Sequence, residues 1–351
     1  SGNTGLITYA GGDWDDTLQP ANDDLKQRLV SSWTVELAFQ TFEALEGSLQ
    51  EASKRLQNFA DSATAISLAA KFKDLKLQVK DAFENILIKD GVIAGFLDCG
   101  QHYTHMIHPS DQITGIHHRL LPMTRSIIAE LADADQAKCN VALIHTQLKC
   151  PDGVRLMDKP ADYQGGVSHL FRRAEQAANV GREISLQYTH AHIRYIEAIT
   201  KLGYASEAWD CLFTINPILI QHSVPNALIR QSNLYFSSSD GAYNDRYEYA
   251  QHFDLLKSGS IGVKGGWRLY SSGPGIYIRQ LIQNVLGIRF SENGLLIDPI
   301  LPEKMDGLKF CYSCFGKPFM FCYHIKSGKN TSPLKVFDGS QELAIQIQPN
   351  P

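Results

Sequence analysis

Apolar residues recur roughly every fourth position through the first three hundred residues, and polar or glycine-rich stretches interrupt them. Over 23–50, Leu25, Leu29, Trp33, Leu37 and Leu45 share one stripe, so a helix capped by Asn22 or Asp23 is predicted. A second long helical pattern covers 62–89 and stops at Asp90-Gly91. Shorter ones follow at 120–131, 135–148, 183–202, 205–215 (closed by Asn216-Pro217) and 276–286, ahead of Gly287. The helices come in consecutive pairs, separated by long loops rich in Gly, His, Trp and Asp, the kind of segment where function concentrates. After Arg289 the period shortens. Segments 295–298, 310–325, 334–337 and 343–347 read as strands between Gly, Pro and Asn turns. The pattern predicts a mainly α region over 1–290 and a small β domain over 291–351, without internal sequence repeats.

Composition narrows the classes. The 351 residues are 44% hydrophobic and 20% charged, as in an ordinary globular protein. Lys and Arg total 33 against 37 Asp and Glu, a formal charge of -4, which leaves no basic excess for nucleic acid. No apolar run is long enough to span a bilayer, so no membrane partner is expected. Seven cysteines, an odd number thinly spread, read as reduced thiols of a cytoplasmic protein. Cys311, Cys314, Cys322 and His324 are spaced so that zinc has to be weighed, but a pair of strands filled with thiols and aromatics is the simpler reading. His102, His105 and His108 (with His117 and His118) read as loop histidines, and no metal site is expected.

The densest chemistry lies in TYAGGDWDDTLQ, residues 8–19. Asp13, Asp15 and Asp16 crowd around Trp14 beside two glycines. Glycine lets backbone approach a ligand closely, an indole offers a sugar ring a flat face, and a carboxyl beside another carboxylate in a partly dry setting can stay protonated as a general acid. An acidic turn or helix cap is the bland alternative, and the twelve-residue calcium-loop spacing is absent.

GGDWDD at 11–16 resembles the G-D-W-N/D-D motif of the inverting sugar phosphorylases typified by cellobiose and chitobiose phosphorylase. PDGVRLMDKPADYQGG (151–166), FRRAEQAANVGREISLQYTHAHIRYIEA (171–198), INPI (215–218), VPNALIRQSNLYFSSSDGAYNDRYEYA (224–250) and GGWRLYSSGPGIYIRQLIQNVLGIR (265–289) resemble, in the same order, the long relatives that phosphorolyse β-glucan oligosaccharides. The resemblance implies an (α/α)6 barrel followed by a small β domain. It maps the general acid onto Asp16, the sugar-facing indole onto Trp14, and phosphate binding onto His190 and the Ser272-Gly273 loop, where serine stands for the family's threonine. Glu175 and Arg182 fall where the family contributes sugar-binding acidic and basic residues; a salt-bridged helix face is the alternative. Gln231, taken as substrate-binding, and the run Ser237-Ser238-Ser239-Asp240, with Asp245 and Arg246, read as an active-site loop or a solvated turn.

The implied reaction is inverting phosphorolysis of a β-linked gluco-oligosaccharide. It needs no cofactor and takes inorganic phosphate as co-substrate. GGDWDDTLQP leans towards the β-1,3-glucan enzymes, with β-1,2 the competitor. Too few helices are present to close the barrel, and the family's upstream phosphate and donor residues find no counterpart, so the chain reads as the carboxyl-terminal part of a longer polypeptide. A homodimer is left open. An inverting hydrolase on the same barrel would need a second carboxylate to activate water, and a glucan-binding fragment without activity is the third alternative.

Overall fold

The computed structural model describes residues 4, 6–10, 12–162, 166–176, 185–228, 236–265, 272–291, 294–325, 337–338 and 341–342, apart from the side chains of Asp16, Ser272, Ser291 and residues 337–342. Its helices are α1 (Asp23–Arg28), α2 (Ser32–Arg55), α3 (Phe59–Ala82), α4 (Leu120–Ile128), α5 (Ala134–Leu143), α6 (Arg172–Gln176), α7 (Thr189–Lys201), α8 (Ala205–Thr214), α9 (Ile220–Ser223), α10 (Arg246–Gln251), α11 (Asp254–Ser258) and α12 (Ser272–Arg279). Short strands join them: β1 (Leu29–Ser31), β2 (Ile88–Lys89), β3 (Val92–Ile93), β4 (Phe96–Cys99), β5 (Tyr103–Met106), β6 (Lys149–Cys150), β7 (Gly153–Val154), β8 (Gln187–Tyr188), β9 (Ser238–Gly241) and β10 (Val263–Gly265). The rest of the chain is antiparallel: β11 (Ile288–Ser291) with β12 (Gly294–Ile297), β13 (Lys309–Cys314) with β14 (Lys317–Cys322), and β15 (Phe337–Asp338) with β16 (Gln341–Glu342). The protein is mainly helical with small sheets.

The helices pack in a regular order. Each of α2, α4 and α7 lies against its successor, α3, α5 and α8 respectively, and α4 also contacts both α2 and α7, while α7 reaches α12. Burial follows that order. Eight of the nine residues of α4 are buried, as are nine of the thirteen of α7, whereas α3, α5 and α8 bury one face. An apolar core of Val30, Val35, Phe39, Phe83, Leu87 and Leu97 joins α2 and the segment after α3 to strands β1 and β4. Each such side chain contributes about 1.5–3 kcal/mol when fully buried.

The predicted helices are present, with informative breaks, and the one expected over 183–202 begins only at Thr189, because Gln187 and Tyr188 pair with β9 as β8. The helix predicted over 23–50 is divided, because 29–31 leave helical geometry to pair antiparallel with β4, Ser31 opposite Phe96. The pattern over 62–89 ends early: α3 loosens into a π-helical turn (Phe83–Leu87) and then the hairpin β2–β3. The same helix, π turn and hairpin recur at α5, Ile144–Leu148 and β6–β7. Of the predicted strands, 295–298 and 310–325 match hairpins, and 343–347 lies outside the described residues. The chain divides into two compact units, 1–300 and 301–351; the predicted boundary near 290 precedes β11–β12, which belongs to the first unit.

Among the described residues no helix is long and apolar enough to cross a membrane, and no group of three or more His, Cys, Asp or Glu is arranged to hold a metal ion. Cys311 and Cys314 lie three apart on β13, so they face opposite sides of the hairpin, Cys314 buried and Cys311 exposed. None of the seven cysteines is in a disulfide.

Candidate active site

The acidic turn is shaped by its own side chains. Ala10 has a left-handed backbone (φ 41°), a sparsely populated conformation for a residue with a Cβ. Its N–H bonds to the Lys26 carbonyl at 3.1 Å, while the Tyr9 N–H reaches Leu29 at 2.6 Å, tying the segment to α1 and β1. Asp15 caps a single 3-10 turn, Asp16–Leu18. Its Oδ1 accepts from the Thr17 N–H at 3.2 Å and the Thr17 hydroxyl at 2.5 Å, and Asp13 Oδ1 accepts from the Asp15 N–H at 2.9 Å. The backbone of Asp16, the expected proton donor, therefore opens a turn fixed by the acids before it; its side chain lies outside the described atoms.

Asp13 is held from behind. Arg119, fully buried, donates Nη2 to Asp13 Oδ1 at 2.8 Å and Nη1 to Oδ2 at 3.1 Å, and the Ser31 hydroxyl donates to Oδ2. The guanidinium also lies 4.9 Å from the centre of the Phe96 ring. Gly95 permits that approach, since a Cβ there would come within 2.7 Å of Ile107 and 3.3 Å of Arg119. Two further acids share this interior. Burial raises Asp15 to about 7 against the opposing pull of Arg119 and Thr17, and its Oδ2 has no hydrogen-bond partner. Burial likewise holds Glu36, on α2, well above the carboxylate range despite Arg125 and Arg119, and neither of its oxygens is bonded. One buried arginine thus faces three carboxyl groups and ion-pairs with one.

Ser31, Arg119 and Tyr188 are the N-cap residues of α2, α4 and α7, and none of the three side chains caps its own helix. All three turn to the acidic motif instead: Ser31 and Arg119 to Asp13, Tyr188 to Trp14. Three helix N-termini, with their partial positive charge, therefore lie around one turn.

Trp14, 38% exposed, meets the Tyr188 ring with centroids 5.1 Å apart. Tyr188 in turn stacks on His190 at 5.2 Å and an interplanar angle of 20°. The structure thereby brings together two residues 176 positions apart that the resemblance assigned to sugar and to phosphate. His190 is lowered from the usual imidazole range, first by burial and then by Arg194 one turn further on.

The other expected residues fare differently. The Glu175 carboxylate is occupied by three backbone N–H groups, those of His169 (2.6 Å), Leu170 (2.7 Å) and Phe171 (2.6 Å). It braces the loop that bonds to the acidic turn through Arg172 N–H to Gln19 O at 2.8 Å. Arg182 and Gln231 lie outside the described residues. Ser272 opens α12 and Gly273 is buried. The 237–240 run is not a solvated turn: residues 238–240 lie in β9, Ser237 to Ser239 are buried and Asp240 is half-buried, the Ser239 hydroxyl bonds to Asp152 at 2.7 Å, and Asp240 accepts from Arg155 at 2.8 Å. The loop histidines bond locally, His105 to Ile86 O and His108 to Ser110 and Lys89 O. Ser31, Glu36, Arg119 and Tyr188 carried no signal in the sequence; Arg119 stands just ahead of an apolar helix, where a lone arginine reads as surface.

Residues 287–342 match the family model described as glycoside phosphorylase C-terminal domain. Over 309 residues, 87% of this chain and 27% of the relative, the sequence is 54% identical to 1,2-beta-oligoglucan phosphorylase of Listeria innocua. Cyclic beta-(1,2)-glucan synthase NdvB of Rhizobium meliloti is 29% identical over 126 residues, 36% of this chain and 4% of that one. The chain thus spans about a quarter or less of the length of these curated relatives. A solved structure titled sialidase aligns over 85% of this chain and 23% of its own, at 10% identity and a TM-score of 0.48, a likeness too slight to argue from. Its acidic motif, its likeness to the Listeria protein and its matched C-terminal region make this chain similar to the β-oligoglucan phosphorylases.

Proposed function

We propose that this chain carries the proton donor and part of the phosphate site of an inverting β-1,2-oligoglucan phosphorylase, acting in the cytoplasm. The observation that carries the reading is the Trp14–Tyr188–His190 contact, which puts the residues assigned to sugar and phosphate on one ring. The 54% identity to an enzyme named for β-1,2-oligoglucans supports it. The lean towards β-1,3 is set aside, because both curated relatives are named for β-1,2-glucans. The motif was a poor guide to linkage for a physical reason: a proton donor meets the same glycosidic oxygen whichever hydroxyl the acceptor sugar supplies.

In this reading the packing order of α2, α4, α7 and α12 is that of inner helices in an (α/α)6 barrel. Asp16 protonates the glycosidic oxygen as phosphate attacks the anomeric carbon from the opposite face. The carbon–oxygen bond breaks, α-glucose 1-phosphate forms, and the proton of the attacking hydrogen phosphate restores the acid. Phosphate is already an anionic nucleophile, so the base carboxylate of an inverting hydrolase is unnecessary. What the protein supplies is donors that hold the anion in line: His190, Ser272 and the N–H of Gly273. Trp14 receives the sugar ring.

The test is to incubate the full-length polypeptide with sophoro- and laminari-oligosaccharides, with and without phosphate, and to assay glucose 1-phosphate. Release from sophoro-oligosaccharides that requires phosphate is expected. Glucose release independent of phosphate would point to a hydrolase, and preference for the laminari series would restore β-1,3. Asp16→Asn should abolish turnover, and His190→Ala should raise the phosphate requirement.

A further inference from the structure

We propose that Tyr188 is a positioning residue shared by the sugar and phosphate sites, so that its ring sets the placement of Trp14 and His190 together. This inference rests on the functional reading above. The sequence marks Tyr188 only as the first residue of YTHAH, residues 188–192.

The geometry argues for a fixed ring. Tyr188 ends β8, where it pairs with Ser238, and Gln187 before it pairs with Ser239. Directly after it, the Thr189 N–H bonds to Ser237 O at 2.8 Å and the Thr189 hydroxyl to Phe236 O at 3.1 Å. The backbone is therefore anchored on both sides of the ring by a single neighbouring segment. That segment is itself held by buried groups, through Ser239 to Asp152 and Asp240 to Arg155. On this base the ring faces Trp14 across 5.1 Å and His190 across 5.2 Å. Both separations fall in the range of favourable aromatic contacts.

Trp14 belongs to a turn with a left-handed residue at its head, and it is more than a third exposed. His190 lies in the first turn of α7, where a tilt of the ring would redirect whichever nitrogen donates to an anion. A side chain touching both can move both. Loss of its ring should therefore raise the Michaelis constants for glucan and for phosphate in one step. Loss of Trp14 should act on the glucan alone, and loss of His190 on phosphate alone.

The experiment compares Tyr188→Leu, Tyr188→Phe, Trp14→Ala and His190→Ala in the full-length polypeptide, with KM measured separately for sophoro-oligosaccharide and inorganic phosphate. Tyr188→Leu keeps apolar volume without a ring and should raise both constants about two- to tenfold, the worth of a stacked aromatic pair, with a smaller change in kcat. Tyr188→Phe keeps the ring and should restore both, whereas a general folding defect would lower kcat and leave the constants alone. Wild-type constants in Tyr188→Leu, or a rise in one constant only, would overturn the inference while leaving the phosphorylase reading intact. A wild-type protein without phosphate-dependent turnover would overturn that reading and this inference with it.

Discussion

Two of the described arginines are fully buried, and they serve different ends. Arg119 binds one carboxylate, Asp13, with both ends of its fork and has two more acids, Asp15 and Glu36, near it without a bond. Arg155 divides its fork, giving Nη2 to Asp152 at 2.8 Å and Nη1 to Asp240 at 2.8 Å. The first pair clamps a turn of the chain's amino-terminal segment against the start of α4. The second ties the β6–β7 hairpin to β9, the strand paired with the one that ends in Tyr188. Isolated buried charge is costly, so each arginine must find partners. Burial pushes Asp15 and Glu36 up against the pull of the arginines, and it raises Asp240 beside Arg155 as well; what differs is that the Arg155 fork bonds both of its acids, whereas that of Arg119 bonds one of three.

The largest expected effect is on stability. Asp13→Ala leaves Arg119 with no ion-paired acid and should cost about 3–5 kcal/mol, whereas Asp152→Ala leaves Arg155 bonded to Asp240 and should cost less. Urea midpoints of the two variants measure the difference, and equal losses would erase the distinction between the clusters. Next, Arg119→Lys keeps the charge but loses the two-pronged grip on Asp13. Turnover should fall on the order of a hundredfold, as for a misplaced catalytic group, while Arg155→Lys should lower the melting temperature more than it lowers kcat.

A smaller effect is written in pH. Asp15 titrates at about 7 in the folded chain and near 3.8 when unfolded, so between those values the folded state holds the extra proton. Stability should be greatest below pH 4 as far as this group is concerned and fall as pH rises towards 7, by up to about 1.4 kcal/mol per pH unit. Asp15→Asn should flatten that slope in unfolding curves taken from pH 4 to 8; an unchanged slope would mean that Asp15 ionises in the native state as it does in water. The resembled motif admits asparagine at this position, in keeping with a neutral side chain. Smallest is Ser31→Ala, which removes one of the donors to Asp13 and should cost about 1 kcal/mol, read from the same urea curves.

Much of the helical architecture was legible, because amphipathic period reports which face is buried. The division at 29–31 was not, since Leu29 and Val30 fit an apolar helical stripe as well as a strand; pairing with Phe96 and Leu97 decided it. Of the site, Trp14 and His190 could be named from motif and resemblance. Tyr188, which joins them, could not, because an aromatic residue before a helix has many commoner uses. Glu175 illustrates the reverse case: its place in the resemblance suggested a sugar contact, while its carboxylate binds three N–H groups of its own loop.

Sequence by itself determined the periodic helices, the late change to hairpins, the cluster of acids around Trp14 and the kinship with the phosphorylases, because these depend on residue type and spacing along the chain. Tertiary structure alone decided which acid pairs with Arg119, that Asp15 and Glu36 lie near it without bonding to it, and that Trp14 and His190 share a ring. Those outcomes depend on distances between residues far apart in the chain and on the exclusion of water around them, which residue order does not specify until the chain has packed.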